Sequence, residues 1–280
     1  MDNADAPLVP DADPWHVLRR YTAARIALGH AGISQPTGVQ LAFQQAHAMA
    51  RDAVHAALDT GALARDLGAA WPELGAALLL HSAALERSAY LQRPDLGRRL
   101  GEAARTALAE SSAASGAPAG CDLAIVVADG LSARAVGANA APLLQALRTH
   151  LAPQAWRVAA PCIVEQGRVA IGDEVGALLR AQMVLVLIGE RPGLSAPDSM
   201  GAYLTWAPRI GLTDESRNCV SNIRPAGQRP EQAAARLHYL LSQARGRGLS
   251  GVALKDESES SSESESTPAL ASSAARPFLL

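Results

Sequence analysis

Two short apolar runs constrain the fold of this chain more than any other feature. Residues Leu123 to Ala128 read LAIVVA, and residues Met183 to Ile188 read MVLVLI. Runs of this length that are apolar at every position are typical of strands buried on both faces. Such strands occur in parallel sheets that are covered by helices on both sides, so the sequence predicts an α/β architecture.

Helical and strand patterns alternate around these two runs. Ser132 can cap a helix that reaches about Leu151. Further helices are predicted over 173–182 and 230–245, and further strands over 156–164 and 168–171. The alternation predicts a Rossmann-like domain with a mostly parallel sheet over residues 121–250.

Residues 191–229 form a long stretch without a strong pattern. A loop of this length inside a compact domain is uncommon, so it is predicted either to carry function or to hide short strands.

The first part of the chain is predicted to be helical. Asp13 and Pro14 favour a helix start, and Thr37 and Gln40 have the spacing of a capping box. The predicted helices cover about 14–28, 37–58, 72–87 and 94–108. Their many alanines imply close helix packing, against this chain or another, and residues 13–109 are predicted as one helical region.

Three segments have compositions that cannot form a core. Residues 1–12 are acidic and Pro-containing, without the basic and apolar parts of a signal peptide, and are predicted to be a disordered leader. Residues 110–120 (ESSAASGAPAG) are small and polar and are predicted to be a linker. Residues 251–280 contain the run KDESESSSESEST and are predicted to be a disordered Ser/Glu-rich tail.

Charge and composition exclude several classes of function. Lys+Arg is 25, Asp+Glu is 27 and aromatic residues are 4%, which disfavours a nucleic-acid partner. Lys255 is the only lysine, so the folded body has no Schiff-base or P-loop lysine. Even the longest clean apolar run is too short to cross a membrane. Cys121, Cys162 and Cys219 form no CxxC pair, which disfavours a zinc ribbon and fits a reducing, cytosolic compartment.

Two carboxylates directly follow the predicted buried strands. Asp129 follows the first run and Glu190 the second, each beside a glycine. The carboxyl ends of parallel strands meet at one edge of the sheet, so both carboxylates are placed on the edge where ligands bind. The alternative, in which Asp129 caps the next helix and Glu190 pairs with Arg191 or Arg209, has equal weight.

The residues show no catalytic machinery. The glycine fingerprints of dinucleotide and P-loop sites are missing, and without a G-x-S-x-G elbow Ser132 is disfavoured as a nucleophile. His47 and His55 are too far apart for one metal ion and are better explained as polar helix contacts. Cys219 has no identifiable base nearby and is better explained as structural. The sequence therefore predicts a ligand-binding protein whose partner supplies the catalytic groups.

Several long motifs occur in the order found in one known family. They are DPWHVLRRYTAARIALGHAGISQPT, HAMARDAVH, DLAIVVADGLSARAV, VEQGRVAIGDEVG and LIGERPGLSAPDSMGAYLTWAPRIGLTDESRNCVSNIRPAG. From about Asp13 to Arg245 the chain resembles the small subunit of ethanolamine ammonia-lyase. It departs from the family in the extreme N-terminus, the 110–120 segment and the tail.

The resemblance implies an adenosylcobalamin-dependent carbon–nitrogen lyase that converts ethanolamine to acetaldehyde and ammonia by a radical mechanism. In that family a large subunit, a (β/α)8 barrel, holds the substrate and most catalytic groups, and cobalamin lies between the two subunits. The helical region 13–109 would then serve subunit contacts in a hetero-oligomer. The cytoplasmic location predicted from the residues is compatible with the resemblance, which leaves a bacterial microcompartment open as a more specific location.

The family's cobalamin contacts map onto Val169 in QGRVAIG, Glu190 in LIGERPG and Cys219 in RNCVSNI. The resemblance assigns no catalytic residue and no metal ligand to this chain, and Cys219 is not expected to bind cobalt. Two other hypotheses remain at this point. One is a free-standing enzyme with a nucleotide-like cofactor, and the other is a non-catalytic Rossmann-like binding or scaffold module.

Overall fold

The computed structural model describes residues 14–22, 24–30, 32–114 and 120–258. These residues form seven helices and six strands, besides short 3-10 turns. The helices are α1 (Thr37–His55), α2 (Thr60–Ala70), α3 (Arg87–Gln92), α4 (Glu102–Ala114), α5 (Ala133–Leu151), α6 (Ile171–Leu178) and α7 (Pro230–Arg247). The strands are β1 (Leu78–His81), β2 (Leu123–Ala128), β3 (Cys162–Glu165), β4 (Met183–Gly189), β5 (Met200–Trp206) and β6 (Arg217–Ile223).

The six strands form one sheet in the order β1-β3-β2-β4-β5-β6. The first four strands in that order are parallel, with Val126 opposite Cys162 and Leu123 opposite Met183. Strand β5 is antiparallel to both β4 and β6. The predicted α/β class with a mostly parallel sheet is confirmed.

Burial on both faces explains why the two apolar runs lack alternation. All six residues of β2 are fully buried. Leu123, Ile125 and Val127 belong to the core that contains side chains of α2, α5 and α7. Ala124, Val126 and Ala128 belong to the core that contains side chains of α4 and α6. Each face of the strand is therefore covered by helices, as expected of a buried parallel strand.

The predicted helix after β2 is confirmed together with its cap. The Ser132 hydroxyl accepts a hydrogen bond from the Ala135 amide, 3.2 Å away, and α5 runs to Leu151. Helix α7 begins at Pro230, whose fixed φ suits the first helical position.

The prediction of a helix over 72–87 was wrong, because this stretch contains strand β1. Only Pro72–Leu74 forms a 3-10 turn there, and Leu78–His81 pairs with β3 in parallel. Leucine favours helices in isolation, but the backbone and packing partners offered by β3 outweigh that local preference. The sheet thus takes a strand from residues 13–109, while the proposed division of the chain into regions stays a prediction.

Several other local predictions were wrong. Residues 168–170 form a turn that leads into α6 instead of a strand, and the strand predicted over 156–164 is confined to Cys162–Glu165. The helix predicted over 14–28 is a 3-10 segment, Pro14–Arg20. Helix α1 has Pro36 at its N-cap with no side-chain cap, so the capping box of Thr37 and Gln40 does not form. Helix α2 was missed.

The long stretch 191–229 hides two strands, β5 and β6. This was one of the two alternatives that its length left open.

The predicted leader, residues 1–12, lies outside the described residues, as do residues 115–119 of the predicted linker and 259–280 of the tail. Helix α4 extends into the predicted linker as far as Ala114. None of the described helices combines the length and apolar character that crossing a membrane requires.

Candidate functional site

The order of the strands creates a crevice between the carboxyl ends of β2 and β4. The chain passes from β2 through α5 to β3 on one side, and from β3 through α6 to β4 on the other side of β2. Helices α5 and α6 contribute to cores on opposite faces of the sheet. The two connections therefore diverge at this edge, which is where open parallel sheets bind their ligands.

An open cleft of about 420 Å³ lies at this position. Its lining residues are Tyr90, Gly130, Leu131, Arg168, Val169, Ile188, Gly189, Glu190, Arg191 and Tyr203. Two of the three residues singled out from the sequence, Val169 and Glu190, thus share one cavity. Cys219 does not line it, but Cys219 faces Tyr203 across the β5–β6 ladder.

Other cavities in the described residues lie away from this crevice. One of about 690 Å³ lies between β6 and α7, and one of about 360 Å³ surrounds Cys121 near the start of β2. Neither is lined by Val169, Glu190 or Cys219. The cleft at the crossover point is therefore the candidate site, although it is not the largest cavity.

Two glycines bring the ends of β2 and β4 together. Gly130 has a φ of +56°, and a Cβ there would lie 2.3 Å from the Gly189 carbonyl oxygen. The Leu131 amide donates a hydrogen bond of 2.9 Å to the same oxygen. Glycine is required here because the two backbone segments approach each other closely, as predicted. The two segments form the floor of the cleft.

Glu190 is held in place by its neighbours on the sheet. The Ser199 hydroxyl donates a short hydrogen bond to one carboxylate oxygen, and the Asn222 amide lies 3.4 Å from both oxygens. A Cβ on Gly201 would lie 2.9 Å from the carboxylate, so a glycine leaves room for it. Glu190 accepts these bonds in place of the alternative pairing with Arg191 or Arg209.

Tyr203 links the cleft to Cys219. Tyr203 lies opposite Cys219 in the β5–β6 ladder, and burial raises the pKa of Tyr203. Cys219 is exposed overall, but partial loss of hydration at its sulfur raises the pKa of the thiol. Both groups are therefore neutral near pH 7, and the thiol is not an activated nucleophile.

Asp129 lies beneath the cleft and does not line it. It is 2% exposed, and its carboxylate accepts hydrogen bonds from the Gly167 amide at 3.1 Å and from Arg87 at 3.2 Å. Burial raises the pKa of Asp129 to about 6, although the charge of Arg87 opposes the shift. Ser132, and not Asp129, caps α5, so that alternative for Asp129 was wrong.

A stack of one tyrosine and two arginines supports the turn that carries Val169. The Arg87 and Arg168 guanidinium carbons lie 4.7 and 4.4 Å from the centre of the Tyr90 ring. The Tyr90 hydroxyl donates to the Gly167 carbonyl at 3.2 Å, and Arg168 donates to the Tyr90 carbonyl at 3.1 Å. The turn is thus fixed from two sides, by Asp129 and by Tyr90.

Sequence reasoning missed Arg87, Tyr90 and Tyr203. Arg87 and Tyr90 fall in or beside a segment predicted as an ordinary helix, and nothing local marks them as neighbours of residues 166–169. Tyr203 fell in the predicted loop, where its strand pairing with Cys219 could not be seen. Arg168 stands next to Val169 in the QGRVAIG motif, and this adjacency was the one available signal.

Two buried nitrogen atoms at the site have no hydrogen-bond partner among the described residues. They are Arg168 Nε and Arg87 Nη2. The described residues contain no group of three or more potential metal ligands. With apolar Val169, Leu131 and Ile188 beside the Glu190 carboxylate, the cleft can bind an amphipathic ligand through apolar contacts and hydrogen bonds.

Comparison with known proteins gives a consistent result. A family model described as Ethanolamine ammonia-lyase light chain (EutC) matches residues 12–255. The ethanolamine ammonia-lyase small subunit of Ralstonia nicotianae is 54% identical over 255 residues, which cover 91% of this chain and 93% of the relative. The corresponding protein of Azotobacter vinelandii is 56% identical over 252 residues, covering 88% and 90%. A Pseudomonas aeruginosa small subunit is 55% identical over 254 residues, covering 90% and 91%.

Proposed function

The chain belongs to the ethanolamine ammonia-lyase light-chain family, and from this we propose that it acts with a large subunit and adenosylcobalamin. The complex would convert ethanolamine to acetaldehyde and ammonia, with the cofactor held between the subunits. The observation that carries the proposal is the match over nearly the whole chain to relatives named as small subunits of this lyase. The cytoplasm is the proposed location, with a bacterial microcompartment as the alternative.

We further propose that the domain is Rossmann-like. The supporting observations are the crossovers on opposite faces of the sheet and the crevice at the point where their direction changes. In folds of this kind a ligand at the crevice is reached from the sheet edge, which leaves one side for a second polypeptide.

The residues present suit a cobalamin. A corrin ring has an apolar face and a rim of amide side chains, and the cleft combines Val169 with a fixed carboxylate on Glu190. The cleft volume of about 420 Å³ suits a drug-sized molecule and is small for a corrinoid. The rest of the cofactor surface must then be covered by the large subunit, which agrees with an open cleft.

Bound adenosylcobalamin supplies the radical initiation that this lyase chemistry requires. The residues of this chain would bind the cofactor and orient it. Glu190 would accept hydrogen bonds from amide N–H groups, since Ser199 and Asn222 hold its carboxylate in one position. Val169 would contact the apolar part, and Arg168 Nε is a buried donor free to bind an amide carbonyl. Cys219, as a neutral thiol beside Tyr203, would supply packing and would perform no covalent step.

The proposal is tested by purifying the chain alone and together with the large subunit. The mixture is expected to form acetaldehyde and ammonia from ethanolamine only when adenosylcobalamin is added, and the isolated chain is expected to be inactive. Alcohol oxidation by the isolated chain with a nicotinamide cofactor would contradict the proposal. If the large subunit were fully active without this chain, the chain would instead be a non-catalytic scaffold.

Replacing Glu190 with alanine is expected to weaken cobalamin binding by the complex about tenfold or more, since hydrogen bonds to charged groups contribute about 1.5–3 kcal/mol. Binding is measured as the absorbance of cyanocobalamin retained after gel filtration, independently of turnover. Glu215→Ala is the matched control, because Glu215 is an exposed carboxylate in the turn before β6, away from the cleft. Equal retention by wild type and Glu190→Ala would remove the assigned role.

A further inference from the structure

The turn that carries Val169 contains a backbone conformation that residues with a side chain rarely adopt. Gln166 has a φ of +55°, in the left-handed region. The Cβ of an L-residue there lies too close to a backbone carbonyl oxygen, and glutamine, unlike asparagine, is not enriched in this region. Such strained backbone persists only where the surrounding structure fixes it, and it is concentrated at functional sites.

Gln166 is the point at which the chain leaves β3 and turns onto the end of β2. Strand β3 ends one residue earlier, and one residue later an added Cβ on Gly167 would lie 2.9 Å from the Ala128 Cβ. The Val169 carbonyl already accepts a hydrogen bond of 3.1 Å from the Gly172 amide in the first turn of α6. The connection between β3 and α6 is thus short, so the conformation of Gln166 determines where Val169 lies in the cleft.

One arginine binds the side chain of Gln166. Arg87 Nη1 donates hydrogen bonds to the Gln166 amide oxygen at 3.0 Å and to the Asp129 carboxylate at 3.2 Å. The other Asp129 oxygen accepts a hydrogen bond of 3.1 Å from the Gly167 amide. The side chains of Arg87 and Asp129 are 14% and 3% exposed, so little water competes for these bonds. The buried pair therefore fixes both the side chain of Gln166 and the backbone of the residue that follows.

The same combination occurs on the Glu190 side of the cleft. Asn222 has a φ of +57°, and Arg224 Nε donates a hydrogen bond of 2.8 Å to its side-chain oxygen. The Asn222 amide lies 3.4 Å from the Glu190 carboxylate oxygens. Five non-glycine residues have a positive φ in the described part of the chain. Two of them thus adjoin the proposed cofactor contacts, and an arginine binds the side chain of each.

We infer that Gln166 is a positioning residue for the cofactor. Gln166 does not line the cleft itself. Its hydrogen bond to Arg87 stabilises the left-handed turn that places Val169 in the cleft, so loss of that bond displaces Val169 and weakens cofactor binding without removing a group that touches the cofactor. This inference rests on the proposed function, which places the cofactor in the cleft.

Two substitutions at this position separate the backbone strain from the side chain. Gln166→Ala and Gln166→Gly both lose the hydrogen bond to Arg87, but only alanine keeps a Cβ that opposes the left-handed backbone. In the complex with the large subunit, Gln166→Ala is expected to bind cyanocobalamin about tenfold more weakly than the wild type. Gln166→Gly is expected to recover most of that loss. Equilibrium dialysis measures binding, and circular dichroism shows whether each variant is folded.

Ala207→Gly is the matched control for relief of strain. Ala207 also has a positive φ, of +46°, but it follows β5 at the edge of the sheet away from the cleft, where Trp206 pairs with Met183. This variant is expected to bind cyanocobalamin as the wild type does.

Equal binding by wild type and Gln166→Ala, or equally weak binding by the folded alanine and glycine variants, would overturn the inference and leave the lyase function in place. If Gln166→Ala does not fold, Gln166→Gly decides alone. Binding close to that of the wild type then supports the inference, and a loss of about tenfold overturns it. A wild-type complex that does not bind cyanocobalamin would reject the proposed function itself.

Discussion

Replacing Gly189 with alanine is expected to lower the free energy of unfolding by about 3 kcal/mol, near the upper end of the usual cost of overpacking. A Cβ at this position would lie 2.1 Å from the Ser132 carbonyl oxygen and 2.5 Å from the Asp129 carbonyl oxygen. Both are backbone atoms, so no side chain can rotate away to relieve the contact. The β2–α5 connection would have to move, and the floor of the cleft would move with it.

Gly137→Ala is the matched control for this substitution. Gly137 lies inside α5, is exposed, and would place a Cβ with nothing within 4 Å. Because glycine costs about 0.5–1 kcal/mol relative to alanine inside a helix, this variant is expected to gain that amount of stability. Urea unfolding of both variants measures the two changes. A Gly189→Ala protein as stable as Gly137→Ala would show that β2 and β4 are not pressed together at the cleft.

The close approach at Gly189 also shows what could be predicted from the sequence. The runs that form β2 and β4 were recognised because burial on both faces requires an apolar residue at every position, a requirement that is local in sequence. Both strands lie in the centre of the sheet, so every residue in the two runs is apolar. Glu190 was placed at the correct edge for the same reason, since it directly follows β4.

The parts that were missed depend on pairing between distant segments. Strand β1 lies in an Ala- and Leu-rich stretch that reads as a helix, and it is a strand because β3 lies beside it. Strand β5 begins after a Pro- and Gly-containing connection, and its identity rests on antiparallel pairing with β4 and β6. No periodicity within either segment contains this information.

The support of the site was missed for a related reason. Arg87 and Tyr90 contact the turn at residues 166–169 from far away in the chain. Arg87 and Gln166 are 79 positions apart in sequence, and Tyr90 and Gly167 are 77 positions apart. Sequence spacing cannot bring such groups together. Val169, Glu190 and Cys219 were proposed through family resemblance, which contains information about tertiary structure that spacing lacks.

The ionisation of Asp129 is expected to produce the largest pH effect on stability in this region. Its pKa of about 6 in the folded chain exceeds the ordinary value of 3.8. Between these two values the folded state keeps a proton that the unfolded state has lost, so the free energy of unfolding falls as pH rises. A shift from 3.8 to about 6 corresponds to a total loss of about 3 kcal/mol.

Asp129→Asn removes this titration and keeps the shape of the side chain. The free energy of unfolding of the wild type minus that of Asp129→Asn is therefore expected to fall by about 3 kcal/mol between about pH 4 and pH 7. Urea unfolding at a series of pH values measures it. A difference that stays constant over this window would show that Arg87 and the Gly167 amide fully compensate the burial of the carboxylate.

Asp122, at the opposite end of β2, provides a control of opposite sign. It is also buried, at 3% exposure, and burial opposes its ionisation, but hydrogen bonds from the side chain and amide of Arg157 lower its pKa. Its contribution to stability is present above the ordinary value of 3.8 and is lost only as pH falls through the lower folded pKa. The difference between wild type and Asp122→Asn is thus expected to stay level from about pH 5 to pH 7 and to decrease in acid. The two aspartates at the ends of β2 would then have opposite effects. Ionised Asp122 stabilises the folded state, whereas ionised Asp129 destabilises it while its carboxylate holds the turn beneath the cleft.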